Sequence, residues 1–142
     1  MDAGTELREN VESDEITVLP GAFDALSARL AAERFDAVFT SGFGLSASTL
    51  GLPDLGFLDR TANVDRVGDI VKASDKPVVA DADTGYGSAL NVRRTVGDMI
   101  DAGAGGVIIE DQVAPKRCGH MDEKRVVDED EARTRIRAAV DA

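Results

Sequence analysis

Short apolar runs alternate with amphipathic segments along most of the chain. Apolar runs of strand length predict four β-strands, at residues 16–24, 36–44, 76–83 and 105–111. Apolar residues at helical spacing predict a helix after each strand, at residues 24–35, 61–74, 88–103 and 128–142. This order predicts about four consecutive βα units.

Residues with capping preferences support these helix boundaries. The candidate caps are Asp24, Thr61 and Ser88 at helix N-termini and Gly103 beyond a C-terminus. In the first helix, Leu26, Leu30 and Ala31 fall on one face and form its predicted apolar side. The last helix has acidic residues in its first turn and basic residues further on, which complements the helix dipole.

The predicted strands are nearly continuous apolar runs, as in parallel sheets that helices cover on both faces. Two architectures fit this pattern: an open doubly wound sheet, and part of a (β/α)₈ barrel. Polar residues gather where three of the strands end, at residues 40–42, 81–83 and 110–111. In either architecture ligands bind at the carboxyl ends of the strands, so we expect a functional site there.

Composition indicates one globular domain. The chain has 142 residues, of which 43% are hydrophobic and 30% charged, which is enough for a hydrophobic core. Residues 1–15 are polar and acidic, so we expect a loosely ordered lead-in before a domain at residues 16–142. The lead-in lacks the basic start and apolar middle of a signal peptide, and a single cysteine fits a reducing compartment. We therefore expect a cytoplasmic protein.

The formal net charge of −11 argues against nucleic acid or an anionic membrane surface as a partner. No apolar stretch approaches the roughly 20 residues needed to span a bilayer. Acidic residues are spread along the chain, whereas the lysines are only Lys72, Lys76, Lys116 and Lys124. Such a surface is typical of proteins that work in high salt, where self-repulsion is screened. An ordinary acidic cytoplasmic protein is the alternative interpretation.

Three carboxylates follow two of the predicted strands. Asp81 and Asp83 are two positions apart, so on a strand they point to the same side. Glu110 ends the next strand and becomes their neighbour in a parallel sheet. Converging carboxylates without a nearby histidine suit a hard divalent cation such as Mg²⁺. The alternative is that the two aspartates are turn residues or helix caps, and their spacing alone does not decide between the two.

The only cysteine and the only histidine lie two positions apart, as Cys118 and His120. The flanking residues Lys116 and Arg117 are basic, which favours a reactive thiolate. A purely structural cysteine is the alternative, although such residues usually lie within apolar elements. A Cys–His metal site needs further soft ligands, and a Cys–His hydrolytic dyad is difficult to form at this spacing.

Three motifs carry a family resemblance: "TSGFGLSASTLGLPDLG", "VVADADTGYG" and "IIEDQVAPKRCGH". Together and in this order, they resemble the isocitrate lyase and phosphoenolpyruvate mutase superfamily, in its methylisocitrate lyase-like branch. The resemblance runs from about "LPGAFDALSARL" to the C-terminus. It implies a (β/α)₈ barrel, of which this chain contains about the first four βα units. It also implies a Mg²⁺ or Mn²⁺ ion and chemistry on 2-oxo or 2-hydroxy acids.

The resemblance assigns roles to residues of the strand ends. Asp83 matches the family's direct metal ligand, and Asp81 and Glu110 match its companions, which bind directly or through water. Asp54 matches an active-site aspartate. The loop that holds a substrate carboxylate and carbonyl is matched by Ser41, Gly42 and Phe43. The fit is imperfect at Phe43, where the family often has small residues.

The resemblance also explains why the cysteine and the histidine lie so close together. The mobile loop that closes over substrate in the family is matched by Lys116, Cys118, Gly119 and His120. In the family's lyases, the loop cysteine donates a proton to the carbanion released by C–C cleavage. The adjacent glycine and histidine help to hold carboxylate.

The resemblance implies a Mg²⁺-dependent lyase that cleaves a 2-methylisocitrate-like or isocitrate-like acid to succinate and a 2-oxo acid. One alternative is a phosphonomutase, or an oxaloacetate decarboxylase or hydrolase, of the same superfamily. Another is a non-catalytic fragment. The expected partner is a small di- or tricarboxylate or a 2-oxo acid. A half-barrel would expose two sheet edges, so we also expect a homo-oligomer.

Overall fold

The computed structural model of the protein describes residues 2–142. Its strands are β1 (Gly21–Ala22), β2 (Val38–Thr40), β3 (Val78–Asp81) and β4 (Gly106–Ile108). Its helices are α1 (Ala3–Glu12), α2 (Ala25–Ala32), α3 (Gly42–Leu50), α4 (Arg60–Ala73), α5 (Ala89–Asp101) and α6 (Glu129–Val140).

The four strands form one parallel sheet whose spatial order is the order of the chain, β1-β2-β3-β4. Helices connect each strand to the next, so the carboxyl ends of all four strands meet at one edge. The predicted α/β fold of consecutive βα units is therefore confirmed. The strands are shorter than predicted, and β1 keeps only two residues of the predicted run at 16–24.

Side-chain caps set where the helices begin. The Asp24 carboxylate accepts a hydrogen bond from the Ser27 N–H at 2.7 Å, as its predicted capping role requires. Helix α4 is capped by Asp59 rather than by the predicted Thr61, because the Asp59 carboxylate accepts from the Ala62 N–H at 3.0 Å. Beyond α5, Gly103 has a φ of 92°, which fits its predicted place past a helix end.

Helix α3 begins inside the predicted strand at residues 36–44 and continues through residues for which the sequence predicted no element. Glycines at 42 and 44 lower the helix propensity of its first turn, so the local signal is weak. The helix is held by Ser41, whose side chain accepts from the Gly44 N–H at 3.1 Å, and by the burial of Leu45. Tertiary packing therefore overrides propensity here.

The N-terminal segment is a helix, α1, where the sequence predicted a loosely ordered lead-in. Asp2 caps it, and the Asn10 side chain donates to the Asp36 carbonyl at 3.1 Å. A Cβ added to Gly105 would lie 2.7 Å from the Ala3 carbonyl oxygen, so the helix backbone closely approaches the start of β4. These contacts place α1 at the amino ends of the strands, and they explain why a polar segment is helical.

The hydrophobic core lies between the sheet and the helices that cover it, in two clusters centred on Val38, Ile70 and Val78 and on Val67, Ala80 and Met99. Helix α2 buries its small residues Ala28 and Ala32. Its predicted apolar side is largely exposed instead, with Leu26 at 66% and Leu30 at 55% exposure. Within residues 2–142, no helix has the length and apolar character that crossing a bilayer requires.

Candidate metal and active site

Asp81, Asp83 and Glu110 converge at the carboxyl edge of the sheet. Asp81 is the last residue of β3, Asp83 follows it by two residues, and Glu110 follows β4. One ligand oxygen from each carboxylate lies within 4.8 Å of the others. The two aspartates are buried, and Glu110 is half-buried. The structure therefore brings the three predicted ligands into one cluster of hard oxygen donors.

A tight turn after β3 aims Asp83 into this cluster. Asp83 and Tyr86 have φ values of 49° and 61°, a region that side-chain-bearing residues seldom adopt. Between them, Gly85 has a φ of 84°, and a Cβ there would lie 2.4 Å from Cγ2 of Val92. A glycine is therefore required where the turn passes the start of α5.

Backbone amides fix the Asp81 carboxylate. Its Oδ1 accepts from the Asp83 N–H at 2.9 Å, and its Oδ2 accepts from the Gly42 N–H at 3.0 Å. The backbone N–H of Asp81 itself donates to Oγ1 of Thr40 at 2.8 Å. Burial raises the pKa of Asp81 above its usual value, and the negative charge of Asp83 raises it further.

Two hydrogen-bonded side chains, those of Asn63 and Tyr86, orient the Asp83 carboxylate. The Tyr86 hydroxyl donates to Oδ2 of Asp83 at 2.9 Å. Asn63, from α4, donates through Nδ2 to the Tyr86 hydroxyl at 2.7 Å and to the Asp81 carbonyl at 2.8 Å. Burial, followed by the charge of Asp83, raises the pKa of Tyr86 far above its usual value, so the phenol stays protonated.

Lys116 places an ammonium group among the carboxylates. Its side chain is only 3% exposed; Nζ lies 2.8 Å from Oδ1 of Asp54 and 3.9 Å from Oε1 of Glu110, and it contacts Oδ1 of Asp83 directly. Burial alone would lower the pKa of Lys116, but the surrounding carboxylates, Asp83 foremost, outweigh burial and raise it. One ammonium faces four carboxylates once Asp81 is counted, so the cluster retains excess negative charge that favours a further cation.

Gln112 joins Glu110 to the segment that follows. Its Nε2 donates to Oε2 of Glu110 and to the Arg117 carbonyl, both at 2.9 Å. Its Oε1 accepts from the Arg117 N–H at 3.0 Å. The buried Arg135 of α6 donates to the Gln112 carbonyl at 3.2 Å. Burial raises the pKa of Glu110, and the Lys116 ammonium opposes that shift.

The cysteine-bearing loop lies directly beyond Lys116. Sγ of Cys118 is 3.7 Å from Nδ1 of His120. Lys124 holds the turn by donating to the carbonyls of Gly119 and Met121, at 2.8 and 2.5 Å. Cys118 is half-buried, whereas Gly119 and His120 are exposed. The structure thus brings Lys116 into the carboxylate cluster and leaves His120 at the surface.

The N-terminal turn of α3 lies beside the carboxylate cluster. Gly42 contacts Asp81, and a Cβ at this position would lie 2.7 Å from Oδ2 of that carboxylate. The Ser41 side chain is engaged in capping α3. Phe43 is 56% exposed, so its ring is not packed into the site. Of these three predicted residues, Gly42 makes the direct contact with the carboxylates.

Sequence reasoning missed several residues that support the carboxylates. Tyr86 and Gln112 lie within the motifs "VVADADTGYG" and "IIEDQVAPKRCGH", but nothing in their spacing shows which oxygens they contact. Asn63 does leave a signal, since it occupies the same helical stripe as the buried Val67 and Ile70 of α4. A polar residue in a buried stripe indicates a side chain with hydrogen-bond partners.

Comparison with known proteins identifies the family. A family profile described as phosphoenolpyruvate phosphomutase matches residues 7–142. The chain belongs to the phosphoenolpyruvate mutase/isocitrate lyase superfamily. The predicted resemblance is therefore confirmed. The structure also supplies about four βα units of the superfamily's (β/α)₈ barrel, as the fold prediction expected.

Relatives within the superfamily differ in activity. A 2,3-dimethylmalate lyase from Eubacterium barkeri is 46% identical over 142 residues, covering 99% of this chain and 49% of that protein. An oxaloacetate acetylhydrolase, solved with the inhibitor 3,3-difluorooxalacetate, superposes with a TM-score of 0.94 at 42% identity, over 99% of this chain and 48% of that one. A phosphonopyruvate hydrolase, solved with oxalate and Mg²⁺, superposes with a TM-score of 0.89 at 31% identity, over 100% of this chain and 48% of that one. This chain spans about half the length of each of these relatives.

Proposed function

We propose that the chain carries the cation site and part of the active site of a Mg²⁺-dependent carbon–carbon lyase. The observation that carries this proposal is the burial of Lys116 against Asp54 and Asp83, because it draws the Cys118 loop to the carboxylate cluster. The substrate we propose is a 2-methylisocitrate-like or isocitrate-like acid, cleaved to succinate and a 2-oxo acid. Similarity to a protein named 2,3-dimethylmalate lyase supports carbon–carbon cleavage of a 2-hydroxy acid.

The cation in this proposal is Mg²⁺ or Mn²⁺. Asp83 is the direct ligand, and Asp81 and Glu110 are its companions, direct or through water. Three buried or half-buried carboxylates with excess negative charge fit a hard divalent ion, which prefers oxygen donors. When bound, such an ion supplies Lewis-acid stabilisation for the substrate oxygen that becomes a carbonyl.

Cys118 is the proposed acid of the reaction. The substrate hydroxyl gives its proton to a carboxylate of the cluster, the bond between the two carbons breaks, and the carbon that bore the hydroxyl becomes the carbonyl of the 2-oxo acid. The electron pair of that bond stays on the carbon next to a carboxylate, and the Cys118 thiol donates its proton there, which gives succinate. A thiol is an acid of moderate strength, so it can donate in one step and be recharged afterwards.

The proposed substrate contacts flank the carboxylate cluster on two sides. On one side, residues 41–43 form the N-terminal turn of α3, where the helix dipole favours a carboxylate. On the other side, Gly119 and His120 lie in the loop beside Cys118 and help to hold a second carboxylate. Lys116 adds positive charge, and Asp54 fixes it at 2.8 Å. Closure of this loop would exclude water from the reacting carbons.

A succinate assay tests this function. The purified chain is incubated with Mg²⁺ and 2-methylisocitrate, and wild type is compared with Cys118→Ser. Serine keeps the shape of the loop but is a far weaker acid, so turnover should fall by about two to four orders of magnitude while Mg²⁺ binding persists. Near-full turnover by Cys118→Ser would contradict the lyase assignment. No turnover by wild type would favour the non-catalytic alternative.

A phosphonate-processing or oxaloacetate-processing enzyme is the second candidate. It is favoured by the family profile, described as phosphoenolpyruvate phosphomutase, and by similarity to hydrolases of oxaloacetate and phosphonopyruvate. Product analysis with phosphonopyruvate and with oxaloacetate, under the same conditions, separates this candidate from the lyase.

We further propose that the protein is a cytoplasmic homo-oligomer adapted to high salt. The net charge of −11 and the four lysines support the adaptation to salt. We assign residues 16–142 to the N-terminal half of the lyase domain, with α1 packed against the amino ends of its strands.

A further inference from the structure

Protein donors already occupy oxygens of every carboxylate in the proposed cation site. Both oxygens of Asp81 accept backbone N–H groups, one from Asp83 at 2.9 Å and one from Gly42 at 3.0 Å. A backbone amide at a tight turn or in a helix's first turn cannot swing away as a side chain does. Asp81 is therefore held in one orientation from both ends of its carboxylate.

Tyr86 donates to one oxygen of Asp83, whose other oxygen contacts the ammonium of Lys116. Its hydroxyl donates to Oδ2 at 2.9 Å, while Oδ1 faces the ammonium of Lys116. Asn63 fixes the direction of this bond, because its Nδ2 donates to the phenol oxygen at 2.7 Å and so leaves the phenol proton for Asp83. The Asn63 amide cannot be reversed without setting its oxygen against the Asp81 carbonyl, which it now contacts through Nδ2 at 2.8 Å.

Gln112 holds one oxygen of Glu110, as Tyr86 holds one oxygen of Asp83. Its Nε2 donates to Oε2 at 2.9 Å, and Oε1 of Glu110 points toward Lys116 at 3.9 Å. The Gln112 amide is itself fixed, since both of its polar atoms bond to the backbone of Arg117. Each of the two carboxylates therefore turns one oxygen toward the Lys116 ammonium, whose place a metal cation would take, and has its other oxygen held by a neutral protein donor.

This arrangement matters for the kind of cation that fits. Ca²⁺ takes six to eight oxygen ligands and often binds carboxylates through both oxygens. Mg²⁺ requires a near-octahedral arrangement, uses few carboxylates and keeps several waters. A carboxylate oxygen that accepts a hydrogen bond has one lone pair left, so a donor on the second oxygen disfavours binding through both oxygens. These hydrogen-bond donors therefore weaken the binding of Ca²⁺ more than the binding of Mg²⁺.

We propose that Tyr86 and Gln112 are positioning residues that make the site select Mg²⁺ over Ca²⁺, because they keep Asp83 and Glu110 monodentate. This inference rests on the cation site of the proposed function and adds its ion selectivity. Asn63 acts through Tyr86, by directing the phenol proton to Asp83.

Calorimetry with Mg²⁺ and, separately, with Ca²⁺ tests the proposal on wild type, Tyr86→Phe and Thr40→Val. In Tyr86→Phe, the affinity for Mg²⁺ should fall about ten-fold while the affinity for Ca²⁺ holds or rises, so the ratio of the Mg²⁺ to the Ca²⁺ affinity falls by at least about ten-fold. Thr40→Val is the matched control, since it removes the acceptor of the Asp81 N–H without freeing any carboxylate oxygen. Thr40→Val should lower the affinities for Mg²⁺ and Ca²⁺ by the same factor.

Gln112→Met provides a second, independent variant should Tyr86→Phe fail to fold, which thermal unfolding reports. It should shift the ratio in the same direction, by freeing Oε2 of Glu110. If wild type binds Mg²⁺ but the ratio is unchanged in the folded variants, this inference is overturned and the cation site stands. If wild type binds neither ion, the cation site and this inference fail together.

Discussion

Single atoms decide the geometry of the carboxylate cluster, and Gly42 shows this most directly. Its N–H donates to Oδ2 of Asp81, and any side chain at this position would start 2.7 Å from the same oxygen. That separation is shorter than non-bonded contacts of a Cβ atom, so a Cβ must displace the carboxylate. Yet alanine is a better helix former than glycine, so α3 itself should tolerate the change.

We therefore predict that Gly42→Ala weakens Mn²⁺ binding by about ten-fold, as loss of a supporting contact at a metal ligand typically does. The unfolding temperature should change little, because the damage is confined to Asp81. Titration calorimetry and a thermal melt of the same sample check both parts. An unchanged Mn²⁺ affinity in a folded Gly42→Ala protein would show that Asp81 does not take part in holding the cation.

Much of the cluster could be predicted from residue patterns, and the missing part has a physical reason. Asp81, Asp83 and Glu110 follow apolar runs, and parallel strands must end at one edge, so their convergence is predictable. Tyr86, Asn63 and Gln112 act through hydrogen bonds whose partners depend on side-chain rotamers and helix placement. No spacing rule encodes those contacts, although a polar residue in the buried stripe of α4 marks Asn63.

At the scale of helices and strands, hydrophobic periodicity predicted which elements exist and in what order. It did not predict the buried face of α2 or the presence of α3, where small residues control packing. In α2, the large residues Leu26 and Leu30 were predicted on the apolar face, but the helix buries Ala28 and Ala32 instead. Helix α3 was missed because its first turn contains two glycines. In both cases tertiary contacts decide, and local propensity does not report them.

Two glycines of the α5 region should respond in opposite ways to alanine. Gly97 lies inside α5, and a Cβ there meets no atom within 4 Å. Gly97→Ala should raise the free energy of unfolding by roughly 0.5–1 kcal/mol, because glycine costs about that much inside a helix. Gly103 has a φ of 92°, and a Cβ there would lie 2.9 Å from Cγ1 of Val71.

Gly103→Ala should therefore lower the free energy of unfolding by more than about 1 kcal/mol, because the substitution adds backbone strain to a steric clash. Urea denaturation of the two variants beside wild type measures both effects. A stabilised Gly103→Ala protein would contradict the left-handed conformation beyond α5.

For the whole molecule, the surface is the most informative feature. The sheet has parallel edges at β1 and β4, and large apolar side chains are exposed on flanking helices, among them Leu26, Ile100, Ile136 and Val140. Exposed edges and apolar patches favour association with another chain. The charge of −11 opposes association at low salt and is screened at high salt.

We predict that this 142-residue chain self-associates or is only partly folded, and that association increases with salt. Sedimentation velocity over a KCl series, together with a thermal melt, provides the measurement. A compact monomer that unfolds cooperatively at every salt concentration would show that the exposed edges and apolar side chains are tolerated in isolation.

We propose that Asp83, with Asp81 and Glu110, forms a divalent cation site at the carboxyl edge of the sheet. Titration calorimetry with Mn²⁺ on wild type, Asp83→Ala and Asp75→Ala tests this assignment. Asp75 is exposed just before β3, at the opposite edge of the sheet, so its removal takes away the same charge at a distance from the site. We predict binding to wild type and Asp75→Ala with similar affinity, and binding to Asp83→Ala that is at least about ten-fold weaker. Equal affinity in wild type and Asp83→Ala would contradict the assignment.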